Sequence, residues 1–310
     1  MRCLIFILIS AVVSGTSTEK TAPVTDDVRK AFRVKDKIFY KKHYSYKGLA
    51  ILSSAKVPDA AHREAAYVIK NMLNGREDIL KMIIKNGIHL GIMNHDEFTT
   101  DIPEHATLKE ASYWDRRARG LGATWHRPVV TCGVENLLNY KGDPYRGGSI
   151  LVHEFAHVIH QFGLNYLDKN FDKNLKAIYK RALKKGLWKK TYASGNHVEY
   201  FAETLMCYFN CNFENDALHN HVNTRKELKE YDPEIYQLFK KHFKEWTYIP
   251  PYKRKNSEHL KGYSFSKAPT FQWPKYLQRL HKKKLTAPLN DSRYNSIRID
   301  KYMPENNKAK

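Results

Sequence analysis

The sequence predicts an α+β domain in which a small mixed sheet is followed by a mainly helical C-terminal half. Three observations predict it. Short apolar runs bounded by turn residues fall at 48–57, 88–95 and 128–132. Two amphipathic helical patterns lie between the first two runs. From Ile150 to about Trp246 the apolar residues recur at helical spacing.

In chain order, "MRCLIFILISAVVSG" comes first. Arg2 precedes the apolar run Leu4 to Val13, and Val13-Ser14-Gly15 offers small residues for cleavage, so residues 1–15 read as a secretory signal and the mature chain as secreted and extracellular. No apolar stretch reaches the ~18 residues a membrane span needs, so no transmembrane anchor is expected. Residues 16–30 are polar and read as a flexible leader. "GLAILSSAKV" is a buried strand. Asp59 then caps a helix whose Ala61, Ala65, Val68 and Ile69 share one face. "REDILKMIIKNG" is a second helix stopped by Gly87, "IHLGIMNH" a strand, and "PVVTC" a short strand among glycines that mark turns. Later helices cover "NYLDKNFDKNLKAIYKRALKKGL", "HVEYFAETLMCYF" behind the cap Asn196, and roughly 226–246. Residues 250–310 form a basic tail without periodicity, whose scattered aromatics suit a strap laid on the domain. Asn290-Asp291-Ser292 is a glycosylation sequon.

Composition narrows the partners. The net charge is +21, and fifteen Lys and Arg stand against four Asp and Glu from Ile249 onward. Outside the cell such a surface meets anionic glycans or acidic surfaces, here through residues 253–310, and no nucleic acid is expected. Cys3 leaves with the signal. The remaining Cys132, Cys207 and Cys211 suggest one disulfide, with Cys132 bridging to one of the other two.

The chemistry concentrates in "ILVHEFAHVIH". Ser149 is a natural N-cap and Gly163 a natural stop for one helix of about fourteen residues. His153 and His157, four apart, project from one face and can grip one zinc ion, with Glu154 beside its open position as general base. His160 follows one turn on and reads as packing or as support for the ligands. A glycine and a histidine three and six residues after His157 would supply a third ligand in one arrangement, but those positions hold His160 and Gly163. In "NHVEYFAET", Glu199 and Glu203 stand four apart and need compensating positive charge. Glu199 suits a third zinc ligand and Glu203 an acceptor for the far nitrogen of a ligand histidine. The competing reading has Glu199 closing a capping box with Asn196.

"VHEFAH" followed by "NHVEYFAE" resembles the gluzincin metallopeptidases, and most of all the catalytic domain of anthrax lethal factor and its relatives. The motif-bearing part covers roughly residues 149–206. The resemblance implies a zincin-like catalytic domain over 31–249, with its active-site helix on a small mixed sheet and one catalytic Zn2+. It implies His153, His157 and Glu199 as ligands, Glu154 as base, Glu203 behind the ligands and Tyr192, seven residues before Glu199, as oxyanion stabiliser. It implies a peptide or protein substrate, lying in a groove for which "PVVTCGVEN" is a candidate edge, and Glu135 is a candidate grip on a free N-terminus. The expected function is a secreted zinc metallopeptidase, more readily an endopeptidase. The alternative is a catalytically inactive zincin-fold binding protein or toxin acting through its basic surface.

Overall fold

A computed structural model describes residues 20–255 and 257–278. The signal at 1–15 and the sequon lie outside the described residues, as does the tail beyond Gln278. The observed fold is the mixed α+β arrangement the sequence predicts, with one strand more. A four-stranded sheet runs in the order β1 (Lys42–Tyr46), β2 (Leu49–Ser53), β3 (His89–Met93) and β4 (Val129–Gly133). β1 pairs antiparallel with β2, while β2–β3 and β3–β4 are parallel. β1, "KHYSY", is partly exposed and lacks an apolar run. It is folded back by Lys47 and Gly48, both with positive φ, as a two-residue hairpin demands. Ahead of it, part of the expected leader is structured. Ala22 bridges to His43, and the Thr25 hydroxyl caps α1 (Asp26–Ala31).

β2 is buried on both faces, which is why it reads as an unbroken apolar run. Leu49 and Ile51 enter the main core, while Ala50 and Leu52 meet Phe32, Val34 and Tyr40 on the other face. Two helices, α2 (Asp59–Met72) and α3 (Glu77–Lys85), connect β2 to β3, and α2 begins behind Pro58, with Asp59 as its first residue. After β3 come α4 (Ala111–Arg117), β4 and the single turn α5 (Val134–Leu137). α6 (Ile150–Val158) then continues without a break through a π-helical stretch, Ile159–Leu164, into the turn α7 (Asn165–Leu167).

Gly163 therefore stops nothing. A Cβ there would lie 2.7 Å from Ile79 Cγ2, so the glycine lets α3 pack onto the π turn. The break comes at Asp168, whose carboxylate accepts the Asn170 N–H before α8 (Phe171–Lys184) starts. α9 (His197–Tyr208) is buried along almost its whole length. The helix expected over 226–246 is two, α10 (Arg225–Tyr231) and α11 (Pro233–His242). Pro233 opens the second, and buried Asp232 accepts hydrogen bonds from Tyr200 Oη (2.6 Å) and Trp188 Nε1 (2.8 Å).

The described part of the basic tail is a strap. Arg254 makes a paired ion contact with buried Glu64 of α2, at 2.8 and 2.9 Å, and His259 reaches the same carboxylate at 2.7 Å. Further on, the Phe271 N–H donates to the Lys141 carbonyl, and the short helix α12 (Lys275–Gln278) follows. Among the described residues no disulfide forms, contrary to expectation. Cys132, Cys207 and Cys211 are buried thiols; Cys132 packs in the core from β4, and the Cys207 thiol donates to the Val222 carbonyl. No described helix is long and apolar enough to cross a membrane.

His62, fully buried on α2 with Nε2 2.9 Å from Ser53 Oγ, is pushed down to about 4 by burial. Between that value and its unfolded value of ~6.5 the unfolded chain binds the extra proton, so stability falls as pH drops through this window. His62 alone accounts for a loss of about 2 kcal/mol by pH 5. The melting temperature of His62→Gln should therefore fall less between pH 7 and pH 5 than that of the unaltered protein. Parallel curves would remove His62 from the account.

Candidate metal centre

Two caps aim the site. The Ser149 hydroxyl accepts the Val152 N–H and starts α6, and Asn196 Oδ1 accepts the N–H groups of Val198 and Glu199, each at 2.9 Å, and starts α9. The Asn196 cap is made without Glu199's side chain, which turns instead toward α6. His153 Nε2 and His157 Nε2 lie 3.1 Å apart, and Glu199 Oε2 lies 3.3 Å from the first and 3.4 Å from the second. Both histidines are buried and Glu199 nearly so.

The hydrogen bonding behind this triplet decides what it can hold. Glu203 Oε1 sits 3.0 Å from His153 Nδ1, so that nitrogen donates to the carboxylate and Nε2 is left facing the centre. Burial pushes His153 down, but Glu199 and Glu203 more than reverse it and raise it well above the usual imidazole range. Burial likewise raises Glu199, yet the two histidines hold it well below the carboxylate range. Glu199 Oε2 has no hydrogen-bond partner of proper geometry. Two imidazole nitrogens and a carboxylate oxygen at 3.1–3.4 Å, in a desolvated place that favours positive charge, are the donor set of a tetrahedral zinc site. The residues fit the ion.

Glu154 lies on the same helix and lines the same cleft, about 570 Å³ in volume. Burial raises its pKa, against the histidines that lower it. The Tyr192 ring lines the cleft with its centroid 6.1 Å from that of His153, and Arg117 Nη2 donates to Tyr192 Oη at 3.4 Å. The structure thus brings His153, Glu154, His157, Tyr192 and Glu199 to one cleft, with Glu203 directly behind it.

Several contributors carry no signal in the sequence. His219 Nε2 meets Glu203 Oε2 at 3.1 Å and its Nδ1 meets Asp216 at 2.8 Å, which extends the chain His153–Glu203 to the surface. Asn212 Nδ2 donates to the same Glu203 oxygen. The carbonyl of Leu218, in that loop, accepts the Tyr192 N–H at 2.7 Å. All arrive by long-range packing, and no local motif announces them.

The expected groove edge is corrected. The outer side of β4 is already bonded, since the N–H groups of Thr131 and Gly133 donate to the carbonyls of Leu121 and Arg119. An arm at 119–123, turned by Thr124–Arg127, therefore lies between β4 and the cleft. Gly120 and Gly122 in this arm are not turn residues. A Cβ on Gly120 would lie 2.8 Å from the Thr131 carbonyl oxygen, and one on Gly122 would lie 3.2 Å from His157 Cβ. The arm rests directly on α6, an approach that at Gly120 only glycine permits. Glu135 does not face the cleft. It is fully buried and ion-paired with Arg119, which anchors the start of the arm.

The family described as anthrax toxin lethal factor, N- and C-terminal domain, matches residues 55–242, a span from the approach to α2 through α11. No curated protein matches the chain. Among solved structures, the PRO-PRO endopeptidase PPEP-2 from Paenibacillus alvei is similar, with 24% identity and a TM-score of 0.32, covering 59% of this chain and 90% of that chain.

Glu199→Ala should weaken zinc binding far more than Glu203→Ala, for which a loss of roughly 10–100-fold is expected. Titration against a competing chelator measures both, and equal, small losses would place the third ligand elsewhere.

Proposed function

The chain belongs to the anthrax toxin lethal factor family, a zinc metallopeptidase family, and from that premise we propose that it is a secreted zinc-dependent peptidase, acting as an endopeptidase through His153, Glu154, His157, Tyr192 and Glu199. One observation carries the reading. His153 Nε2, His157 Nε2 and Glu199 Oε2 converge beside Glu154 at the floor of an open cleft.

Zinc held by these three residues would polarise the scissile carbonyl and acidify the attacking water. Glu154, whose pKa burial raises, accepts the water's proton and passes it to the leaving amine. Tyr192 donates its phenolic proton in a hydrogen bond to the developing oxyanion, with Arg117 holding the phenol in place. Glu203, shared between His153 and His219, fixes the ring of His153 so that its Nε2 keeps facing the centre. An extended peptide lies along Gly120–Thr124, the backbone arm that lines the cleft above the metal helix. The apolar run Leu4 to Val13 supports secretion, and the excess of Lys and Arg after Ile249 supports contact with anionic glycans. An intact Glu154 favours catalysis over a purely binding role, which needs no base at that position.

Side-by-side metal analysis and casein-type digestion should find zinc at this centre in both the unaltered protein and Glu154→Gln, with digestion only in the former. Zinc in both with digestion in neither would sink the peptidase reading for general substrates, and absence of zinc in both would sink the site. Tyr192→Phe should lower kcat by ~10²-fold with little change in KM; an unchanged kcat would remove the phenol from the reaction.

A further inference from the structure

His160 lies in the π-helical stretch that continues α6, three residues beyond His157. Here its Nε2 lies 3.1 Å from Asp172 Oδ1, at the start of α8. The same oxygen lies 2.9 Å from His197 Nε2, on the first turn of α9. The three atoms lie within 4.8 Å of one another. His160 is fully buried and its Nδ1 has no partner, while the side chains of Asp172 and His197 remain 25% and 17% exposed.

Two neutral imidazoles donating to one carboxylate oxygen would account for these contacts in part. The arrangement matches more than that. Its donor set, two imidazole nitrogens and one carboxylate oxygen, is that of the His153–His157–Glu199 triplet, and its two histidine–carboxylate spacings, 2.9 and 3.1 Å, are no longer than the 3.3 and 3.4 Å there. A tetrahedral zinc with bonds of ~2.0–2.1 Å draws neighbouring ligands to about this separation. Lys176 Nζ pairs with the other carboxylate oxygen at 2.6 Å and so competes with a cation for Asp172 while leaving Oδ1 to the histidines. The part-exposed Asp172 and His197 give a cation a route in from solvent.

We propose that His160, Asp172 and His197 form a second zinc site, which ties the end of the metal helix, α8 and the first turn of α9 together two residues before Glu199. This site does not depend on the peptidase reading. Dialysis of the intact protein against buffered Zn2+, followed by elemental analysis, should find two ions per chain. His157→Ala and Asp172→Asn should each retain one, and the double variant none. Cobalt substitution of His157→Ala should give the visible d–d bands of a tetrahedral ion, and these should vanish with Asp172→Asn. Lys176→Met, at a partly exposed position, removes a competing cation without touching a ligand and should bind the second zinc several-fold more tightly. One ion in the unaltered protein, two in Asp172→Asn, or an unmoved second dissociation constant in Lys176→Met would overturn the proposal. Loss of the ion from His157→Ala with the Asp172→Asn ion intact would leave only the first site standing.

Discussion

Three electron-rich atoms, the Nε2 nitrogens of His153 and His157 and an oxygen of Glu199, face one another within 3.4 Å in a place from which water is largely excluded. Such a group repels itself unless positive charge stands at its centre. Much of the surrounding structure holds it together. α6 and α9 pack closely along their lengths, with Phe155, Phe201 and Leu205 in the common core. Each helix is started by a side-chain cap that points its first turn at the other's functional face. The glycine arm closes α6 from one side, and Glu203 pins His153 from behind.

A second buried charge system works on the same logic at a distance. Arg119 and Glu135 are both without solvent contact, and their pairing is supplemented by hydrogen bonds from Arg119 to the carbonyls of Asn94 and Glu97. A buried pair that is fully hydrogen-bonded costs little, whereas breaking one partner strands a charge. The pair therefore fixes where the arm leaves the core, and with it the wall of the cleft. Glu64, Arg254 and His259 do the same for the strap over α2.

The features legible in the sequence were those written in local periodicity. α6 with its Ser149 cap, the Asn196 cap, the strand cores at β2, β3 and β4 and the i,i+4 pairs at 153/157 and 199/203 all follow from local residue type and spacing. Where tertiary contacts set the residue type, local reading misleads. Gly163 resembles a helix stop because glycine often ends helices, but it is there for Ile79. Gly120 and Gly122 resemble turn glycines, but they are there for α6. The strand β1 has no apolar run because one side of it faces solvent, and Glu135 resembles a ligand-binding carboxylate only until Arg119 is seen beside it. His219 and Asp216 could not have been found, since nothing in "NDALHN" points across the fold to Glu203.

The loop that carries Asp216, Leu218 and His219 supports two parts of the site at once, Tyr192 through its backbone and His153 by way of Glu203. These supports are wired in series through one surface segment, with Asp216 and Leu218 partly open to solvent. The placement of Tyr192 and the orientation of His153 therefore share a single mechanical foundation. A displacement of this loop is felt at Tyr192 and at His153 together.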